Sequence, residues 1–402
     1  MKPLTVAFLA DYYASWMGGA QLLANTLECL NSVAGNQNVR VEVLMHARVI
    51  GKDTQGDWGD VLRVDASSIR ATGPLQCLLE GTQLRQIVFY RDLARAAAVL
   101  GVQVIGPTGE NLGAEFPVPW FGYIPDFQHQ YLVRFFRQEE RMHRDRHFRA
   151  LVENAHGLFV TSGAAAADAE RFYPGAARSK QVLRLPLALP KLDHMADLGE
   201  VARSYGLGRP FFLSCSQRWL HKQHPLILRA FAETVARHPG WPLELVFTGE
   251  TGDYRDPNHA REVDELIRSL GLADRVRVLG RIPRDHQLAL IRIALAVVQA
   301  SLFEGQAGAS GTMEAALLGT RIIASDIGTN RELSFGRQRF FEAHSPAALA
   351  LQMEQVVQDV AASGSADEDI AGALPFDESA RQLLQMASGL QLLGTLRAAA
   401  KA

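Results

Sequence analysis

Short apolar runs alternate with helical patterns along the whole chain, and several of those runs are apolar throughout. They are LTVAFLA (4–10), VEVLMHA (41–47), VQVIG (102–106), WFGYIP (120–125), GLFVTS (157–162) and QVLRLPL (181–187), then PFFLSCS (210–216), LELVFTG (243–249), RVRVLG (275–280), LAVVQA (295–300) and RIIASD (321–326). A strand with one wet face alternates apolar and polar residues. A strand apolar on both faces is covered on both, as in a parallel sheet between helices. With helical segments such as Pro225 to Ala236 and Asn258 to Leu270 between the runs, the pattern predicts doubly wound α/β domains.

The series restarts once. Pro186, Pro190 and the polar stretch from Lys191 to Gly199 separate two sets of strands. The expectation is two Rossmann-like domains facing a cleft, residues 1–190 and 191–376, with a final helix over about 377–402 that packs back on the first. Length agrees, since 402 residues suit two or three domains. Ligands of such domains sit beyond the carboxyl ends of the strands.

Charge and composition exclude several classes. A formal net charge of −2 gives no footprint for nucleic acid. Cys29, Cys77 and Cys215 form no C-x-x-C pair, so neither a disulfide framework nor a zinc site is expected, and a reducing, cytoplasmic setting is. No apolar stretch nears about 18–20 residues, so no transmembrane segment is expected. The opening MKPLTVAFLADYY reads as a first strand rather than a leader.

The stretch SLFEGQAGASGTMEAALLG (301–319) sets two carboxylates, Glu304 and Glu314, around a loop of very small residues. Gly305, Gly308 and Gly311 let the backbone approach a ligand closely. Thr312 reads as a cap for a helix ending at Gly319. A helix N-terminus reached by such a loop suits an anion. The carboxylates suit neutral hydroxyls, from which they accept hydrogen bonds. A diphosphate flanked by polyols, a nucleotide sugar, satisfies both. A surface turn with a capping glutamate satisfies the same spacing.

CSQRWLHKQH (215–224) gathers Arg218, His221, Lys222 and His224 just after a strand, where cations can neutralise a leaving diphosphate. A solvated basic turn is the plainer alternative. In YASWMGGAQLL (13–23), Gly18 and Gly19 open a helix without the dinucleotide fingerprint. In YIPDFQHQYLVRFFRQEERMHRDRHFR (123–149), His129 follows a strand, and the arginines after it read either as a solvated helix face or as a peripheral membrane contact. Asp367-Glu-Asp369 is a D-x-D triplet in low-complexity sequence, read as a solvated acidic patch; no metal site is expected.

Taken together, these motifs resemble the GT-B glycosyltransferases of the large retaining family 4, over nearly the whole chain. Residues 301–333 are similar to that family's E-x7-E signature, CSQRWLHKQH resembles its S-Q-x-W-x-H-K-N-H motif, and YIPDFQHQYLVRFF resembles its I-P-D-F-Q-H segment. LVFTGETGDYR, with Gly249, is similar to a loop near the base. The resemblance implies that Glu304 sits by the donor sugar and Glu314 holds the ribose hydroxyls. It implies that Lys222 and Arg218 neutralise the diphosphate, Gly19 brings its amide to the phosphates, and His129 lies near the sugar O6.

The implied activity is metal-independent, retaining hexosyl transfer from a GDP-, UDP- or dTDP-linked sugar, leaning to mannosyl. The nucleotide sugar serves as substrate and no cofactor is implied. The implied acceptor is a glycan of polysaccharide biosynthesis, a lipid-linked glycan or a small metabolite, and the place of work the cytoplasm, including the inner face of its membrane. A GT-B-like epimerase or phosphorylase and a non-catalytic nucleotide-sugar-binding subunit stay open beside it. Two departures stand out: nine residues rather than seven lie between Glu304 and Glu314, and Gln217 occupies the family's arginine position.

Overall fold

A computed structural model of the protein describes residues 3–49, 59–71, 73–82, 84–174, 182–184, 195–306, 310–332, 337–362 and 378–401. The chain divides into two compact units. Unit 1 comprises Met1–Phe127, Gln138–Leu189 and Glu378–Ala402; unit 2 comprises Gln128–Arg137 and Pro190–Asp377.

Unit 1 is built on an eight-stranded sheet of β1 (Leu4–Leu9), β2 (Val39–His46), β3 (Val61–Asp65), β4 (Gln86–Tyr90), β5 (Val104–Thr108), β6 (Trp120–Tyr123), β7 (Gly157–Val160) and β8 (Val182–Arg184). Their order is β3-β4-β2-β1-β5-β6-β7-β8. All neighbours pair in parallel except β3, which runs antiparallel to β4. β1 shows why these strands are apolar on both faces. Val6 and Phe8 enter one core while Ala7 and Leu9 enter the other.

The helix Glu378–Lys401 belongs to the first of these cores, through Leu392, Leu393, Leu396 and Ala399. It lies close against the helix Met17–Gln37: a Cβ added at Gly389 would meet the Cys29 carbonyl oxygen at 2.0 Å. Arg397 Nη1 donates to Gln37 Oε1 at 2.8 Å.

Unit 2 carries a six-stranded, wholly parallel sheet of β9 (Phe211–Cys215), β10 (Glu244–Thr248), β11 (Val276–Gly280), β12 (Ala296–Gln299), β13 (Ile322–Ser325) and β14 (Gln338–Phe341). The order is β11-β10-β9-β12-β13-β14. Phe212 faces one core, while Phe211 and Leu213 face the other. No helix among the described residues is long and apolar enough to cross a membrane.

Each sheet reverses its winding once. In unit 1, β1 lies between β2 and β5; in unit 2, β9 lies between β10 and β12. Two Rossmann-like α/β sheets result. Each has a topological switch point beside its first strand, where the loops leaving adjacent strands part to opposite faces and open a crevice at the carboxyl ends.

Candidate active site

In unit 2 the loops leaving β9 and β12 carry the two strongest sequence motifs to the switch point. β9 runs out through Ser216 and Gln217 into a 3-10 turn, Leu220–Lys222, and then the helix His224–Arg237. The β12 loop is stitched to that turn by Leu302 N–H donating to the His221 carbonyl at 2.8 Å. The β10 loop closes in from the other side. Gly249 has φ +111°, and a Cβ there would lie 2.6 Å from the Ser216 carbonyl oxygen, so only glycine fits.

The stitching brings Lys222 and Glu304 together. Lys222 Nζ donates to Glu304 Oε1 at 2.5 Å, and Gln299 Nε2 donates to the same oxygen at 3.0 Å. Gln299 Oε1 and Ser301 Oγ at the end of β12, and Glu314 Oε2 on the helix that follows, are buried oxygens that lack a hydrogen-bond partner among the described residues. Buried polar atoms are nearly always paired. A group of unpaired acceptors at a strand-end crevice therefore suits a ligand that brings hydroxyl donors.

Beneath this layer lies a network that sequence reading did not isolate. Arg255, whose side chain is 5% exposed, donates through Nε and Nη2 to both oxygens of Asp253 at 2.9 Å each, forming a two-pronged ion pair. Its Nη1 donates to Gln128 Oε1 at 3.0 Å and its Nη2 to His221 Nδ1 at 3.2 Å. The guanidinium lies 5.5 Å from the ring centroids of Phe136, Trp219 and Tyr254. Asp253 Oδ2 also accepts from Leu220 N–H at 2.8 Å. One arginine thus joins the loop after β10, the Lys222 turn and the segment Gln128–Arg137. The only sequence signal for it was the DYR at the end of the LVFTGETGDYR run.

The same network sets charge. Burial raises the Asp253 carboxyl, but the bonds from Arg255 and the backbone amides of Arg255 and Leu220 outweigh it and hold the group below its usual range. Burial, then the charges of Lys222 and Arg255, pulls His221 well below the ordinary imidazole value. Burial, then Arg218, brings His224 down to about 3. Both rings are neutral near pH 7, so Lys222 rather than a histidine is the cation of the turn.

The remaining candidates fall in different places. Glu314 is buried on the helix Ser310–Leu317 and accepts from Arg284 Nη2 at 2.7 Å through Oε1, while Oε2 is unpaired. Burial and the Glu314 charge push the neighbouring Cys215 thiol up to about 12, so it is inert near neutral pH. Gly311 is needed for close packing, a Cβ there lying 3.2 Å from Cys215 Cβ. Thr312 departs from expectation: the helix begins at Ser310, so Thr312 is a first-turn residue and not the cap. Gly308 lies outside the described residues, as do Asp367 and Asp369.

Arg218 is 2% exposed; its Nη1 donates to Asp264 Oδ1 at 2.8 Å, bracing the β9 loop against the helix His259–Ser269, while its buried Nη2 has no hydrogen-bond partner among the described residues. His129 is buried on the short helix Gln128–Tyr131, edge-on to Phe136 at 6.4 Å. It belongs to unit 2 although β6, just before it, belongs to unit 1. Tyr131 packs on Phe303 at 5.4 Å, which sets this segment against the Glu304 loop. Gly18 and Gly19 lie in the first turn of the helix Met17–Gln37 in unit 1. A Cβ at either would strike the Trp16 ring, at 2.6 Å and 2.4 Å.

Among the described residues, one group could offer three metal ligands. Atoms of Asp256, His259 and Glu262 come within 4.8 Å of one another at the start of the His259–Ser269 helix.

Residues 203–368 match the family model described as glycosyl transferases group 1. No curated protein matches the chain. Among solved structures, a glycosyltransferase from Rickettsia africae superposes with a TM-score of 0.65 at 13% identity, covering 100% of this chain and 99% of that one. Sucrose-phosphate synthase of Thermosynechococcus elongatus gives 0.65 at 18% identity, covering 98% of each. HepE of Anabaena, solved with UDP and glucose, gives 0.68 at 16% identity, covering 98% of this chain and 100% of that one. These likenesses establish the fold, and with the family match they support glycosyl transfer. The chain has the GT-B fold of two Rossmann-like domains, and its residues 203–368 match the glycosyl transferases group 1 model.

Proposed function

We propose that the protein moves a hexosyl group from a nucleoside diphosphate sugar to an acceptor hydroxyl, with retained anomeric configuration and without a metal or other cofactor. The observation that carries this reading is the pairing of Lys222 with Glu304 at the β9–β12 switch point, with Gln299 Oε1, Ser301 Oγ and Glu314 Oε2 on the β12 strand end and the helix after it buried and unpartnered among the described residues. A cation with hydroxyl-seeking acceptors around it matches a donor that carries a diphosphate between two polyols.

In the proposed step the bond from the anomeric carbon to the diphosphate oxygen breaks. A bond to the acceptor oxygen forms on the same face, and the acceptor's proton passes to a phosphate oxygen of the leaving diphosphate. Charge grows on that diphosphate, and Lys222 neutralises it; a preorganised donor of this kind contributes about 3 kcal/mol. Glu304, held by Lys222 and Gln299, presents its carboxylate to the sugar hydroxyls, and Glu314 Oε2 accepts from the ribose. A UDP-sugar is the first donor to test because HepE was solved with UDP and glucose. GDP-mannose is tested beside it because of the His221-Lys222-Gln223-His224 run.

The test is the thermal midpoint of the protein with UDP, GDP, ADP and dTDP, each with and without EDTA, followed by turnover of the matching nucleotide sugar. A nucleotide at about 100 times its Kd stabilises by roughly 2.7 kcal/mol. A shift with one nucleotide, unchanged by EDTA, and turnover of its sugar support the proposal. Abolition of both by EDTA overturns metal independence. Binding without turnover favours a non-catalytic nucleotide-sugar-binding subunit.

A further inference from the structure

Beside the Lys222 turn, unit 2 contains a pocket of about 390 Å³. Its lining includes none of Lys222, Gln299, Ser301, Glu304 and Glu314. Pockets for small molecules usually run from about 300 to 1,000 Å³, and most of their lining is apolar. Here Phe135, Leu220, Leu226 and Leu302 supply the apolar surface. Phe135 comes from the segment Gln128–Arg137, which belongs to unit 2. Leu220 opens the Lys222 turn and Gln223, also in the lining, follows it. Gln223 Nε2 donates to the Ala343 carbonyl at 2.9 Å, which ties the turn to the loop before the helix Pro346–Ala362.

The ionisable groups of the lining are all basic: Arg134, Arg229, His259 and His344, with no carboxylate among them. Asp256 and Glu262 approach His259 but take no part in the lining. Arg218, Arg255 and Arg277 of the same unit each meet a carboxylate. Among the described residues Arg134 and Arg229 do not. The Arg134 guanidinium lies 5.0 Å from the Phe135 ring centroid, and Arg229 Nη1 reaches only the Pro225 carbonyl of its own helix, at 3.4 Å. Three helices also begin at the pocket. Pro225, near the start of His224–Arg237, lines it, as do the first residues of His259–Ser269 and Pro346–Ala362. A helix start carries partial positive charge. His259 is 4% exposed, and its Nε2 is buried with no hydrogen-bond partner among the described residues. Buried polar atoms are nearly always paired.

We infer that this pocket binds a small organic anion, an apolar ring or chain that carries one carboxylate or phosphate. The apolar part covers Phe135, Leu220, Leu226 and Leu302, and the anionic group engages Arg134 and Arg229. A neutral ligand leaves both arginines unmatched, and inorganic phosphate leaves the apolar surface wet. The inference does not rest on the proposed glycosyl transfer, and the pocket is probed without it.

The probes are naphthoate, naphthyl phosphate, the neutral naphthalenemethanol and inorganic phosphate, titrated into the intact protein by calorimetry and followed by saturation-transfer NMR. Arg134 and Arg229 are exposed, so Arg134→Gln and Arg229→Gln remove charge without opening a core. Arg268→Gln, at the far end of the helix His259–Ser269, controls for the loss of one surface charge. The expected result is binding of naphthoate or naphthyl phosphate, with naphthalenemethanol and inorganic phosphate each at least about tenfold weaker. Arg134→Gln and Arg229→Gln should each weaken that binding roughly three- to tenfold, and Arg268→Gln should leave it unchanged. Binding should also persist with UDP or GDP at saturation. Which of the two anions binds more tightly separates a carboxylate site from a phosphate site. No binding of either anion, equal binding of the neutral probe, variants no weaker than Arg268→Gln, or displacement by a nucleotide overturns the inference. Failure of every nucleotide to bind would count against the donor proposal alone.

Discussion

Arg255 Nη2 donates to His221 Nδ1 at 3.2 Å, which decides where the proton of a buried histidine sits. A guanidinium has no acceptor, so Nδ1 is bare and the neutral ring carries its proton on Nε2. The same arginine is the counter-ion of Asp253, whose side chain has no exposure. Removing one partner of a buried pair costs about 3–5 kcal/mol, because the other is left charged and unmatched. Arg255→Ala is therefore expected to lower the stability of unit 2 by that order in urea unfolding. Arg255→Lys should restore charge but not the two-pronged geometry, and regain only part of it. In ¹⁵N spectra of the unsubstituted protein the His221 ring should show the Nε2–H tautomer. A mixture of tautomers there would remove the positioning role assigned to Arg255.

Lys222 and Glu304 make the second prediction. Lys222→Ala should reduce transfer about 100-fold or more, the equivalent of about 3 kcal/mol in the barrier. It should also lower the thermal midpoint, because the two side chains are only 15% and 11% exposed and Glu304 is left unmatched. Glu304→Gln keeps the shape and frees Lys222, so its effect should fall on sugar recognition, seen as a raised donor KM with nucleotide binding intact. If Lys222→Ala transfers at a near-normal rate, the diphosphate is neutralised elsewhere.

Sequence made the sheets legible because burial on both faces leaves no polar alternation to confuse, as at Phe211, Phe212 and Leu213. Three strands were missed. β3 (VLRVD), the antiparallel edge of its sheet, and β14 (QRFF), the edge of the other, both carry arginine, while β4 (QIVFY), paired between β2 and β3, is apolar and buried beyond Gln86 and was missed all the same. Lys222 and Glu304 were legible because each follows a strand closely in the chain. The Arg255 network was not, since it joins residues 128, 221, 253 and 255 through space. Arg218 sits in its motif, but that Asp264, on a helix far along the chain, takes one of its nitrogens could not be read from the sequence.

Gly249 tests whether the β10 loop must press on the β9 loop. At φ +111° an alanine is strained, and its Cβ would stand 2.6 Å from the Ser216 carbonyl oxygen, a backbone atom that cannot swing away. Gly249→Ala should cost at least about 1–3 kcal/mol and push the Ser216–Gln217 loop aside, weakening nucleotide-induced stabilisation more than Gly252→Ala, where a Cβ meets nothing within 4 Å. Equal behaviour of the two variants would show that the loop contact does not shape the crevice.

Acid sensitivity follows from the histidines behind the turn. His224, at about 3 in the folded protein against about 6.5 when unfolded, binds a proton more readily in the unfolded chain. Its contribution to stability is therefore complete above about pH 6.5 and is lost as pH falls from there toward 3, with a slope of up to about 1.4 kcal/mol per pH unit. His221 and His259 are depressed as well, each chiefly by burial, and add in the same sense. Asp253 is held below its ordinary value and adds in the same sense only at the low end of this range, because its stabilisation is lost when its carboxyl takes up a proton. The thermal midpoint of unit 2 should thus decline steadily between pH 6.5 and 4. His224→Gln, which cannot titrate, should lower the midpoint at pH 7.5 and flatten the decline. A midpoint in the unsubstituted protein that holds level from pH 6.5 to 4 would mean that these rings take up protons as easily folded as unfolded, against their burial beside Lys222, Arg218 and Arg255.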